Sequence, residues 1–251
     1  MLLEGKSAII TGGASGIGEA SCRLFVEEGA SVLIVDRNQR AGESLANELT
    51  AQGHNCHFYL ADITSETAVK AMIEKAVELF GRLDCAVNNA GIGGEPQPID
   101  EMSLQNWQQV MDINLTSVFL CLKYELKVMQ AQQAGAIVNI ASGAGLIAVP
   151  NMAGYCATKH GVLGLTKTAA TENIRKGIRV NAILPGSTRT PLLEDSMSQG
   201  EEVEKMILAS VPCGRFGQPI EIAQNIVWLC SDRASYVSGE SVCVDYATVC
   251  R

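Results

Sequence analysis

Short apolar, β-branched runs alternate along this chain with longer stretches in which apolar residues recur every three or four positions. The short runs predict strands at Ser7–Thr11, Ser31–Val35, Cys56–Leu60, Leu83–Val87, Ala136–Ile140, Arg179–Leu184 and Ser241–Val244. The amphipathic stretches predict helices over 16–28, 39–52, 65–80, 103–131, 154–176 and 218–230. Thr64, Ser65 and Glu66 supply cap-type residues ahead of the third helix, and Ser103 stands where it can cap the fourth. Repeated strand–helix alternation implies an α/β fold: a doubly wound parallel sheet of about seven strands, with helices on both faces and right-handed crossovers. With no linker, low-complexity tract or internal repeat, residues 1–251 read as one domain, a length α/β folds commonly reach undivided.

One segment breaks the rhythm. Residues 186–217 carry Gly186, Pro191, Gly200, Pro212, Gly214 and Gly217 around a charged middle from Glu194 to Lys205. Open α/β sheets bind ligands beyond the carboxyl ends of their strands. An insertion placed there reads as a mobile lid over a site in preference to a solvated excursion.

Composition narrows the functional classes. Hydrophobic residues make up 47% of the chain and charged residues 18%, which is globular rather than disordered. A net charge of −8 leaves no basic footprint for nucleic acid and disfavours acidic membranes and acidic carrier proteins; solubility explains it. Nine cysteines, none in a Cys-x2-Cys pair, read as free thiols in a reducing compartment. His54, Cys56 and His57 crowd together without a second ligand group at a metal-binding spacing, so no metal site is expected. The N-terminus shows no signal-type pattern and no apolar run approaches membrane-spanning length, so a cytoplasmic protein is expected.

Two stretches carry chemistry. Thr11-Gly12-Gly13-Ala14-Ser15-Gly16-Ile17-Gly18 follows the first strand and opens the first helix, where glycines let the backbone approach a pyrophosphate at a helix N-terminus. Asp36, at the end of the second strand, suits the adenosine ribose hydroxyls and would repel a 2′-phosphate. Arg37 is the dissenting neighbour, since a guanidinium pairs with phosphate, and the balance favours NAD over NADP. Further on, Tyr155 and Lys159 stand at helical i and i+4, on one face. An ammonium held beside a phenol favours the phenolate and lowers a pKa that is ordinarily about 10, tuning it to exchange protons with an alcohol or ketone oxygen.

Taken together, these residues resemble the short-chain dehydrogenase/reductase family in its form of roughly 250 residues, and the likeness runs from Gly5 to about Asp245. It implies a Rossmann-like fold. The glycine motif implies cofactor contacts from Gly12, Ser15, Gly16, Ile17 and Gly18, joined by Asp36 and Arg37. Asp62 stands where the family contacts adenine, with Ile63 beside it as a further cofactor contact, and Asn88-Asn89-Ala90-Gly91 matches its N-N-A-G motif. Pro185-Gly186 with Thr190 match the segment bordering the nicotinamide amide, and Thr188 between them is expected to touch the cofactor. Asn114, Ser142, Tyr155 and Lys159 match the catalytic tetrad. The resemblance implies that Tyr155 exchanges the proton and Ser142 aligns the oxygen. Lys159 would lower the Tyr155 pKa and bind the nicotinamide ribose. Asn114, at a local distortion of the long fourth helix, would hold a water through its backbone carbonyl. A homo-oligomer, with a tetramer favoured, comes from the same source. The chain departs from the family where Val-Asp-Gly-Gly often closes it, reading Val244-Asp245-Tyr246-Ala247.

Gly93, Gly94, Glu95, Gly143, Ala144, Val149, Met152, Ser187, Leu192 and Leu193 are expected to face substrate beside Ser142 and Tyr155, with Met206 better explained by lid packing. This lining is mainly apolar and offers no cation to clamp a carboxylate or phosphate, which suits a neutral secondary alcohol or ketone. A 3-oxoacyl carrier-protein reductase, a cis-diol dehydrogenase and a non-catalytic dinucleotide-binding regulator are the alternatives.

Overall fold

A computed structural model describes residues 1–198 and 200–250 of the chain. Its strands are β1 (Ser7–Thr11), β2 (Ser31–Asp36), β3 (Cys56–Leu60), β4 (Cys85–Asn88), β5 (Gly135–Ile140), β6 (Ile178–Pro185) and β7 (Ser241–Val244). Its helices are α1 (Gly16–Glu27), α2 (Gln39–Ala51), α3 (Glu66–Phe80), α4 (Leu104–Met111), α5 (Ser117–Gln132), α6 (Ala153–Asn173), α7 (Pro191–Met197), α8 (Glu201–Ala209) and α9 (Pro219–Cys230). The strands form one sheet in the order β3-β2-β1-β4-β5-β6-β7, every neighbouring pair parallel. The order reverses direction between β1 and β4, so the loops leaving their carboxyl ends part to opposite faces and open a crevice.

Successive strand residues point to opposite faces, and this divides the core in two. Ile9, Leu33, Ala86 and Ile137 pack against Val69, Met72 and Ile73 of α3, Cys121 and Met129 of α5, and Val162 of α6. Their chain neighbours Ile10, Ile34, Val87 and Val138 pack against Phe25 of α1, Leu45 and Leu49 of α2, and Ile222 and Ile226 of α9. Both faces are dry, which is why these strands read as apolar runs without alternation. The caps predicted from sequence form: Ser65 accepts from the Ala68 N–H and Ser103 from the Asn106 N–H.

The structure differs from the sequence pattern at several element ends and in three larger respects. The fourth strand starts at Cys85 and not Leu83, because the Leu83 backbone is occupied by the Gln132 side chain, which accepts from its N–H at 2.9 Å and donates to its carbonyl at 2.7 Å. The single helix expected over 103–131 is broken by a π-helical turn, Asp112–Thr116. Residues 186–217 contain two short helices, α7 and α8, where the pattern predicted only an irregular insertion.

A polar chain crosses the apolar layer beneath β4 and β5. Asn88 Nδ2 donates to Glu125 Oε2 at 3.1 Å and to Asn139 Oδ1 at 3.0 Å, and Asn139 Nδ2 donates to Thr166 Oγ1 at 3.0 Å. Asn88 Oδ1 and Glu125 Oε1 have no hydrogen-bond partner among the described residues. Glu125 is fully buried, and desolvation pushes its carboxyl up to about 8, against a smaller lowering by the Asn88 amide. The folded protein thus holds a proton that the unfolded chain releases near the usual carboxyl pKa of about 4.3. This contribution is complete below that value, declines as pH rises, and is gone above about 8. Glu125→Gln, which keeps the shape and removes the titration, should remove this slope. Thermal unfolding from pH 5 to 9 should show wild type losing ground to the variant by up to about 1.4 kcal/mol per pH unit. A pH-independent difference would contradict the burial of a proton at Glu125.

Candidate active site

The crevice is closed at its floor by the loops after β1 and β4. Asn89 donates from Nδ2 to the carbonyls of Thr11 (3.0 Å) and Gly12 (3.1 Å), and its N–H donates to Thr11 Oγ1 at 3.0 Å. Glycine permits this approach. Gly12 has φ +62°, and a Cβ on it would lie 2.8 Å from Ala90 Cα; one on Gly18 would lie 2.0 Å from the Gly12 carbonyl. Ser15 precedes α1 in extended conformation without capping it through its side chain, which leaves first-turn N–H donors directed out of the helix. A Cβ on Gly16 would meet Thr190 at 3.2 Å, so the glycine loop and the segment after β6 border the same space. An uncapped helix N-terminus within a close-fitting glycine cradle suits a pyrophosphate.

Asp36 is partly committed, accepting from the N–H groups of Ala14 (3.1 Å) and Asn38 (2.9 Å). Arg37 and Asp62 line a cavity of about 700 Å³ with Thr64, Gln105, Gln108 and Ile113. Thr64 hydrogen bonds hold the Asp62 carboxyl below its usual range, helped by the Arg37 charge. Ile63 packs against the core.

The tetrad converges from three elements. Ser142 follows β5 and accepts from the Ala144 N–H at 3.2 Å. Tyr155 and Lys159 lie on α6, with the Lys159 Nζ 5.4 Å from the Tyr155 ring centroid. Lys159 is 4% exposed and donates to the Ile140 carbonyl at 2.9 Å. Asn114 sits in the π-helical turn, where its side chain accepts from the Ile92 N–H and donates to the Ile92 carbonyl, both at 2.8 Å. Gly91 fits between them: a Cβ there would lie 3.2 Å from Asn114 Oδ1 and 3.7 Å from Lys159 Nζ. The expected lowering of the Tyr155 pKa by Lys159 is not what this geometry produces. Desolvation pushes the phenol up, opposed by the Ser142 hydroxyl, while burial lowers Lys159 to about 8. Burial disfavours both charged forms and is the leading cause of each shift.

The substrate side is assembled from distant loops. A Cβ on Gly93 would touch Leu192 at 3.7 Å and Met152 at 3.8 Å, so these three residues form one wall. Met152 is tied to that loop by the Gln97 N–H, which donates to Asn151 at 2.9 Å. Gly94, at φ +75°, turns the other way, toward Val110 and Asn106, and Asn106 also clasps the Glu95 backbone; both support the loop from behind. Ala144 is buried under the Ser142 turn, whereas Val149 and Leu192 are exposed. Ser187 accepts from the Gly217 N–H, and Arg189 donates to the Gly217 carbonyl, both at 2.9 Å, pinning the base of the 186–217 segment. Thr188 is buried, its hydroxyl donating to Gly186, and Leu193 donates its N–H to the Thr190 cap. Sequence reasoning could not find Ile92 or Ile140, which act through backbone groups that almost any residue supplies. It also did not place the chain end: a Cβ on Gly143 would lie 2.8 Å from Val249 Cγ1.

A family model described as Enoyl-(Acyl carrier protein) reductase matches residues 12–246. The chain is 43% identical to 2,5-dichloro-2,5-cyclohexadiene-1,4-diol dehydrogenase of Sphingobium indicum, covering 97% of this chain and 96% of that one. It is 44% identical to cyclohexanol dehydrogenase of an Acinetobacter species, covering 96% and 94%. Its fold superposes on crystalline levodione reductase with a TM-score of 0.95 over 99% of both chains, at 38% identity. The chain belongs to the short-chain dehydrogenase/reductase family. It is an oxidoreductase of alcohols or ketones, and its cofactor is a nicotinamide dinucleotide, NAD or NADP. Among the described residues no helix is long and apolar enough to cross a membrane.

Replacing Asn114 by Ala would strand both Ile92 backbone groups. Stability should fall by about 1–3 kcal/mol. Thermal unfolding checks this, and an unchanged midpoint would contradict the role of the amide.

Proposed function

We propose that the protein interconverts a neutral, cyclic secondary alcohol and its ketone, using NAD. What supports it is that a Cβ on Gly93 would touch Met152, one turn before Tyr155 at the start of α6, and Leu192, while Gly91 in the same loop lies near Lys159. The names of the relatives point the same way, since two of them act on six-membered carbocyclic alcohols.

A bound nicotinamide supplies or accepts the hydride at the carbinol carbon. The chain handles the oxygen. Tyr155 takes the alcohol proton in oxidation and returns it in reduction, and Ser142 donates a hydrogen bond to the same oxygen. Lys159, lowered to about 8, stays mainly protonated at neutral pH and favours the phenolate when Tyr155 gives up its proton. Asn114 keeps the Ile92 backbone, and with it the Gly91–Gly93 loop, in place. Its backbone carbonyl, in the π-helical turn, is the proposed anchor for a water leading from Lys159. Gly12, Ser15, Gly16, Ile17 and Gly18 would hold the pyrophosphate. Asp36, with lone pairs to spare beyond two backbone donors, would hold the ribose hydroxyls and repel a 2′-phosphate. Residues 186–217 act as a lid, and nine free cysteines suit a reducing cytoplasm. A homotetramer is the proposed assembly.

A screen of secondary alcohols with NAD, read by NADH absorbance, tests this reading; no hydride transfer with any alcohol or ketone would favour a dinucleotide-binding regulator. Tyr155→Phe should lower turnover at least about 100-fold while NADH binding, followed by fluorescence, stays near wild type. Activity within about tenfold of wild type would remove Tyr155 from its role. Asp36→Ala should shift kcat/KM toward NADP, and an unchanged NAD-to-NADP ratio would defeat the cofactor argument.

A further inference from the structure

The chain end is folded back by one carboxylate. Asp245 accepts from the N–H of Ala247 at 3.1 Å and of Val249 at 2.9 Å, and its carbonyl accepts from the Thr248 hydroxyl at 2.6 Å. The turn passes through two non-glycine residues in the left-handed region, Tyr246 at φ +52° and Ala247 at φ +67°. Side chains resist that conformation, so it persists only where its surroundings impose it. Here two contacts add to the Asp245 hydrogen bonds. Asp245 packs on Gly186, where a Cβ would lie 2.8 Å from Asp245 Cα. The Tyr246 ring lies under the Arg215 guanidinium at 5.7 Å, and Arg215 is itself fixed by two hydrogen bonds to Glu221. The turn then sets Val249, half-buried, against Gly143, the residue after Ser142.

We infer that Val249 is a specificity-determining wall of the substrate cleft, limiting the size of the ring substituent that fits beside Ser142. This rests on the reading of Ser142 and Tyr155 as the reacting site. Gly143 is small for a reason the turn itself explains: the space its side chain would take is filled by an aliphatic group from the far end of the chain. The bent backbone at Tyr246 and Ala247 is what delivers that group.

Two measurements on the full chain test it. In the first, kcat/KM is compared for cyclohexanol and 4-tert-butylcyclohexanol. Val249→Ala should raise the ratio of bulky to unsubstituted substrate roughly tenfold, and Val249→Phe should lower it, with NADH dissociation constants unchanged. In the second, thermal unfolding without dinucleotide is measured for Gly143→Ala, Val249→Ala and the double variant. Gly143→Ala should lower the midpoint, and adding Val249→Ala should recover much of the loss, since it removes the atom the new Cβ would strike. Strictly additive midpoints would remove the contact on which the inference stands. A wild type that oxidises cyclohexanols, with variants that leave the size ratio unchanged, overturns the role of Val249 alone. A wild type that turns over no secondary alcohol overturns the functional reading, and the role of Val249 with it.

Discussion

The Asn89 side chain, hydrogen-bonded to the carbonyls of Thr11 and Gly12, joins the two strand ends at which the strand order reverses. Parallel neighbours whose loops leave toward opposite faces would otherwise open there. The join brings two backbones so near that neither Gly12 nor Gly18 has room for a Cβ. The elements on either side take their position from this closure. Helix α1 points its uncapped N-terminus into the crevice, and the Ala90–Gly93 loop runs on to meet Asn114, Met152 and Leu192. The glycine motif therefore serves packing as much as ligand approach.

Burial sets the chemistry at the other end of the crevice. Lys159 reaches the Ile140 carbonyl in a space with almost no water, which lowers its pKa, and the same desolvation raises that of Tyr155. The same burial thus presses both groups toward their neutral forms. The π-helical turn contributes by aiming the Asn114 amide at Ile92 from within an otherwise continuous helix, a recurrent use of such turns at functional sites. Beneath this layer Glu125 remains neutral, so the Asn88 amide that supports β4 faces no buried negative charge.

Much of this was legible in the chain. The strand runs, the caps at Ser65 and Ser103, and the glycine motif were read from local pattern, and each appears in the structure. The helices α7 and α8 escaped because stretches of seven and nine residues are too short to show a period, although Thr190 before Pro191 and the acidic run at Glu201 are start signals. The π-helical turn left no hydrophobic signature of its own and came only through family resemblance. The end of the chain lacks the family's two glycines, yet nothing in Tyr246-Ala247 tells where Val249 falls.

The sequence by itself determined the element order, the dual-faced parallel sheet and the side-chain types available for proton and hydride chemistry, because period, capping and turn preference act between near neighbours. Tertiary structure decided which of those groups meet and how dry they are. Gly94 turns toward α4 while Gly93 faces Met152, Lys159 loses its water to the Ile140 carbonyl, and Val249 returns from near the end of the chain to lie on Gly143. Desolvation and close approach depend on residues far apart in the chain, so they exist only once the layers have packed.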